Sequence, residues 1–169
     1  MGHQYQRPLE KRLVMTHSEL VEIGYKWCLS KCGFAVKELV THNAEQPDVL
    51  GFNSNGTFLL EAKTSRSDFL ADKKKPFRIN PADGMGDWRF FIAPKGLIKV
   101  EELPPMWGLI EVNEKGKAIT TFNPFGKGNS YYNWIRNPKE EGCERIVMYS
   151  VLRRLQQNKS IDTIYKKQL

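Results

Sequence analysis

The residue order of this chain predicts one α/β domain built on a mixed sheet. Three observations predict it. A capped amphipathic helix comes early, a series of short alternating segments separated by Gly and Asn turns follows, and helical spacing returns near the C-terminus. Thr16-His17-Ser18-Glu19 has the form of a capping box, in which hydroxyl and carboxylate satisfy each other's free backbone N–H groups. Leu20, Ile23 and Trp27 then recur at helical spacing, with Gly33 as a stop, which predicts a helix over 17–32. Residues 34–40 alternate and read as a strand. Asp48–Phe52 and Thr57–Lys63 read as two strands joined by Asn53-Ser54-Asn55-Gly56, a hairpin signal. Ser65 can cap a second helix that carries Phe69 and Leu70 and ends at Pro76. Further strands are expected at Trp88–Ala93, Trp107–Val112 and Lys117–Phe122, and a last amphipathic helix at 143–157. The expected organisation is an N-terminal arm over 1–15, an α/β core over 16–122, and a basic loop and C-terminal helix over 123–169 packed on that core.

Composition narrows the class. The chain has 169 residues, of which 40% are hydrophobic and 27% charged, as in an ordinary globular domain. No apolar run follows the basic residues of the N-terminus, and no stretch approaches the roughly 20 apolar residues of a membrane span. A cytoplasmic protein without a membrane partner is expected. Cys28, Cys32 and Cys143 are an odd, sparse set and read as reduced thiols. Cys28 and Cys32 lie one helical turn apart, but zinc would require two further ligands. The net charge is +7, distributed unevenly. Residues 1–16 hold three Lys/Arg and one acid, residues 17–126 fourteen of each, and residues 127–169 nine Lys/Arg and four acids. A basic excess at the two ends suggests a polyanionic partner.

The chemistry concentrates in the hairpin. Glu61 and Lys63 are two apart on a strand and leave the same face. If Ser54-Asn55 forms the turn, Asp48 stands opposite Glu61; if Asn55-Gly56 forms it, Asp48 stands opposite Lys63. Either register puts all three side chains on one face, and only an odd slip separates them. Two carboxylates this close repel each other unless a positive group lies between them. A hard divalent cation resolves that conflict, and a lysine beside it can stabilise developing negative charge. A lone Glu-x-Lys can instead be a solvated cross-strand pair.

Pro47-Asp48, twelve residues, then Glu61-Ala62-Lys63 resembles the PD-(D/E)XK nuclease signature, and the element order resembles the restriction-endonuclease-like core. The chain is similar also to bacterial and phage proteins of the MmcB-type DNA-repair group. It shares with them the segment from Thr64-Ser65-Arg66-Ser67-Asp68 through Lys73-Lys74, and the strand Phe90-Phe91-Ile92-Ala93-Pro94. The resemblance covers about residues 17–115. It implies a metal-dependent nuclease acting on DNA in a bacterial or phage cytoplasm, in repair, recombination or phage DNA processing. It implies Mg²⁺ or Mn²⁺ at Asp48, Glu61 and the Ala62 carbonyl, and Lys63 as the catalytic lysine. Glu38 and Glu22 are the candidates for a fourth acid. Members of such folds also lose activity, so a silent DNA-binding or repair-accessory protein is the alternative, and a homodimer is open.

DNA contacts are expected from Arg66, Lys73, Lys74, Lys127, Arg136, Arg153 and Arg154. Arg66 could equally pair with Asp68 or Asp72. The stretch Gly126–Arg136 interleaves glycine, basic and aromatic residues and reads in two ways. It is a loop that stacks on bases, or a surface loop anchored to the core through Tyr132 and Trp134.

Overall fold

The structure is a computed structural model that describes residues 14–165, so the expected arm over 1–15 lies outside the described residues apart from its last two positions. Helix α1 (His17–Leu29) precedes three antiparallel strands, β1 (Phe34–Lys37), β2 (Val49–Asn53) and β3 (Gly56–Ala62). Two short helices follow, α2 (Arg66–Asp72) and α3 (Pro76–Ile79). Strand β4 (Trp88–Pro94) then runs parallel to β3, and β5 (Trp107–Val112) parallel to β4. Strand β6 (Ala118–Phe122) closes the edge antiparallel to β5, and α4 (Glu141–Gln157) follows, with a short 3₁₀ helix over Ser160–Tyr165 after it. The sheet has six strands in sequence order. An α/β domain with a mixed sheet is what the pattern predicted.

The local chemistry explains the boundaries. The Thr16–Glu19 capping box forms in full. Helix α1 stops three residues earlier than expected, because Ser30 donates its hydroxyl to the Trp27 carbonyl at 2.6 Å. Strand β1 stops at Lys37 because Glu38 takes a positive φ of 46°. Pro76 does end the second helix, but it also opens α3 at the first helical position, where its missing N–H costs nothing. In the β2–β3 hairpin Asn53 pairs with Gly56. The Asn53 side chain accepts the N–H groups of Asn55 and Gly56, which fixes Ser54-Asn55 as the turn.

Each face of the sheet has its own core. On one, Leu20, Val21 and Cys28 of α1 meet Phe58, Leu60 and Phe90. On the other, Phe69 of α2 and Val147 of α4 cover Leu50, Leu59, Phe91 and Leu109. Each such side chain contributes roughly 1.5–3 kcal/mol when fully buried. Cys28 and Cys32 are free, buried thiols pressed against Gly51, where any Cβ would collide with both sulfurs.

The segment after β6 is fastened to the core. Trp134 packs edge-on against Phe58 and Trp88, and Tyr131 edge-on against Phe58 and tilted against Trp88, so the anchored reading of this loop holds for Trp134. The second anchor is Tyr131; Tyr132, expected there, is 78% exposed. Beyond it, a buried polar cluster ties α4 to the start of β3. The Thr57 hydroxyl donates to Glu144 at 2.7 Å, which also accepts the Gly86 N–H at 2.8 Å. Asp87 accepts the Thr57 N–H at 2.8 Å, and Lys139 bridges Asp87 and Glu144 at 2.7 and 2.8 Å.

Candidate active site

Strand alternation decides which side chains meet. With Val49 opposite Leu60, the next pair out is Asp48 and Glu61, on the face that carries Leu50 and Leu59. Lys63 follows on the same face, its backbone N–H held by the Ile92 carbonyl at 2.9 Å. The three residues singled out by sequence therefore lie together at the carboxyl end of β3. They are not a solvated pair: Glu61 and Lys63 are each 3% exposed.

Asp48 sits just outside β2 and is the more open of the two acids. One carboxylate oxygen accepts the Ala62 N–H at 2.7 Å, and the other lies 3.2 Å from His17 Nε2 at the start of α1. In an antiparallel ladder the N–H and C=O of one residue face the same neighbour, so the Ala62 carbonyl is also on the Asp48 side. Burial raises the Asp48 carboxyl above its ordinary value, against the lowering effect of the Ala62 hydrogen bond. Glu61 is raised further, to about 6, chiefly by burial; Arg78 opposes the rise and Asp48 adds to it.

Sequence reasoning missed half of this cluster. Asp72, buried on α2, lies 3.0 Å from Lys63 Nζ, 2.7 Å from Lys75 Nζ and 2.6 Å from Arg78 Nε. Lys75 also reaches Glu61 at 3.4 Å, and Arg78 reaches it at 3.3 Å. Arg78 further donates to Glu45 at 2.7 Å, and its guanidinium lies 4.3 Å from the Trp107 ring centre. Burial alone would raise Asp72, but Arg78, Lys75 and Lys63 outweigh it and hold it below its ordinary value. Asp72 had one sequence signal: it lies three residues after Phe69, on the buried face of α2. Lys75 had the run Lys73-Lys74-Lys75, which reads as a grip on a nucleic-acid backbone, and Glu45 and Arg78 had none.

Within this crowd of charge, some atoms lack a directed hydrogen bond. Glu61 Oε1, Asp72 Oδ1 and Arg78 Nη2 are buried without one, although each lies within ion-pair distance of an opposite charge. Among the described residues, no group of three or more His, Cys, Asp and Glu side chains is arranged to hold a metal ion.

The remaining expectations divide. Glu22 pairs with Lys37 and Lys26 instead of joining the site, because α1 packs on the opposite sheet face. Glu38 lies 3.7 Å from His17, which links it to Asp48 without adding a carboxylate to Glu61. Arg66 pairs with neither Asp68 nor Asp72: both ends of its guanidinium bind Glu102, at 2.6 and 2.5 Å. Lys73 and Lys74 are exposed at the end of α2, next to Lys75. Lys127 and Arg136 are exposed but do not converge on the site. Arg136 stacks over Trp88 at the other end of the strands, on the order of 13 Å away along β3. Arg153 and Arg154 lie on the exposed half of α4.

Neither a family model nor a curated protein matches this chain. A solved structure does: the SPO1766 protein of unknown function from Silicibacter pomeroyi, with a TM-score of 0.55 and 22% identity, covering 89% of this chain and 96% of that one. The likeness is one of fold. Among the described residues no helix is long and apolar enough to cross a membrane.

Proposed function

We propose that the chain is a Mg²⁺- or Mn²⁺-dependent nuclease of restriction-endonuclease-like fold that hydrolyses DNA phosphodiester bonds. The observation that carries this reading is the convergence of Asp48, Glu61 and Lys63 at the end of β3, with Glu61 Oε1 buried and undirected. An isolated buried carboxylate oxygen is costly, and hard oxygen donors of this kind suit Mg²⁺. The residues fit the ion: Asp48, Glu61 and the Ala62 carbonyl would hold it. Bound there, it would supply Lewis acidity at a phosphoryl oxygen and a water of lowered pKa.

The rest of the work falls to the chain. Lys63 presents its ammonium beside Glu61, where negative charge develops during phosphoryl transfer. Asp72 fixes the position of that ammonium. Lys75, the half-exposed cation of the cluster, faces the approach of a phosphate, with Lys73 and Lys74 beside it. Arg153 and Arg154 add nonspecific attraction for the DNA backbone. The second reading, a silent DNA-binding protein, is favoured by the cations already packed around Glu61.

Incubating the protein with duplex, single-stranded and branched DNA, in Mg²⁺, Mn²⁺ or chelator, separates the two. Metal-dependent cleavage is expected, and Lys63→Ala is expected to lower it by about 10²–10³ while DNA binding persists. Undiminished cleavage by Lys63→Ala removes the assignment at this site, and binding without cleavage in every metal supports the silent protein.

A further inference from the structure

The loop between β6 and α4 is fixed within and open without. The Asn123 side chain accepts the Phe125 N–H at 3.0 Å and donates to the Gly126 carbonyl at 2.9 Å. The Ile135 N–H returns to the Phe125 carbonyl at 2.9 Å. Gly126 lies so close to the Trp134 ring that a Cβ there would collide with it. Tyr131 and Trp134 are anchored on Phe58 and Trp88, and the residues that follow them, Tyr132 and Ile135, are 78% and 62% exposed. A loop ordered in advance loses little further freedom when a ligand binds.

The charge of this loop has one sign. From Lys115 to Lys139 the chain has five Lys/Arg and no Asp or Glu. Lys115 and Lys117 belong to the β5–β6 turn at the far end of β6, and Lys139 is taken up by Asp87 and Glu144. Lys127 and Arg136 remain, both exposed at the loop, and Arg136 meets Asp87 only at 4.0 Å. Lys31 joins them from the end of α1. Its Nζ lies 5.6 Å over the Trp27 ring, and Trp27 and Tyr131 both meet Phe58 edge-on.

We propose that this loop is a platform for single-stranded nucleic acid, with a base stacked on the Tyr132 ring and Lys127, Arg136 and Lys31 drawing the phosphates. An open ring among cations suits a polyanion that also offers a π-face. In a duplex the bases stack on one another and show only their edges in the grooves, so Tyr132 could not reach a face; an unpaired strand presents one. An acidic peptide would match the cations but not the ring. The platform lies at the start of β3, at the opposite end from Asp48, Glu61 and Lys63, and binding there requires no metal. It therefore stands apart from the nuclease reading.

Fluorescence anisotropy of a labelled oligothymidylate with the full chain in chelator tests the proposal, and cleavage plays no part in the readout. The wild type is expected to bind the single strand more tightly than a duplex of equal length. Tyr132→Ala is expected to weaken strand binding about tenfold and Tyr132→Phe to keep it, with duplex binding and melting temperature unmoved by either. Lys127→Gln is expected to reduce the slope of log affinity against log salt by about 0.7, the share of one phosphate on a single strand. An oligouridylate arm distinguishes DNA from RNA as the source of the strand. A wild type that prefers duplex, or a Tyr132→Ala protein that binds the strand as the wild type does, overturns the platform. An unchanged salt slope in Lys127→Gln overturns the placing of the phosphates.

Discussion

Two buried polar clusters lie at opposite ends of β3, and they are built on different terms. At its start, Thr57, Asp87, Lys139 and Glu144 form a closed set. Each acid accepts at least one backbone N–H as well as the shared Lys139, all within 2.7–3.0 Å. At its end, Glu61 meets Lys63, Lys75 and Arg78 only at 3.3–3.5 Å, and one of its oxygens has no directed bond. The carboxylate charge is buried in both, so burial alone does not mark a functional site. What separates them is satisfaction. A cluster whose lone pairs are filled by backbone has no capacity left for a ligand, whereas one held by loose ion contacts retains it.

The largest effect should come from the closed cluster. Glu144→Ala leaves the buried Gly86 N–H without its acceptor and leaves Lys139 and the Thr57 hydroxyl with Asp87 alone, and is expected to destabilise the protein by about 3–5 kcal/mol. The loss in thermal melts should be the same in chelator and in Mn²⁺. A metal-dependent loss would erase the distinction between the two ends.

Next in size is the pH response of the open cluster. Folding raises the Glu61 carboxyl from an ordinary 4.5 to about 6, so the folded state favours its protonated form. That contribution is complete below pH 4.5 and disappears as pH rises through about 6, a decline of about 2 kcal/mol. Glu61→Gln cannot ionise, so its metal-free stability should lack this decline and exceed that of the wild type at neutral pH. Parallel pH profiles for the two proteins would mean that Lys63, Lys75 and Arg78 already compensate the charge in full.

Smaller still is the effect of Asp48→Asn, whose side chain is partly open and also raised by burial. The metal-free variant should melt slightly above wild type at neutral pH. It should also lose the stabilisation that a Mn²⁺ titration gives the wild type, since that gain requires binding to the folded state. A variant that melts lower in chelator, beside a wild type indifferent to metal, would make Asp48 a partner of His17 and nothing more.

The parts of this molecule that sequence could disclose are those set by neighbours in the chain. The Thr16 cap, the hairpin turn and the shared face of Asp48, Glu61 and Lys63 follow from spacings of two to four residues and from one turn. Asp72 was within reach through Phe69. Arg78 was not, because it arrives at Glu61 from a separate short helix, and its stacking on Trp107 depends on the completed sheet. Arg66 found an acceptor 36 residues away in place of the acids two and six residues along its own helix. The loop at 126–136 illustrates the same limit on a finer scale. Aromatic anchors were readable from composition, but choosing Tyr131 over its neighbour Tyr132 required knowing which ring the turn aims at Phe58.

The tie between Glu144 and Thr57 spans 87 residues, and that between Asn43 and Cys143 spans 100. Such distant partners bear on synthesis. When β3 leaves the ribosome, most of the residues that will cover its second face have yet to be translated, and Val147 comes nearly last. At about 5–20 residues per second, the growing chain carries that apolar face uncovered for several seconds. Completion of the fold therefore waits until α4 has been translated, and a chain released before then would present Leu59 and Phe91 to whatever chaperone or neighbouring polypeptide meets them first.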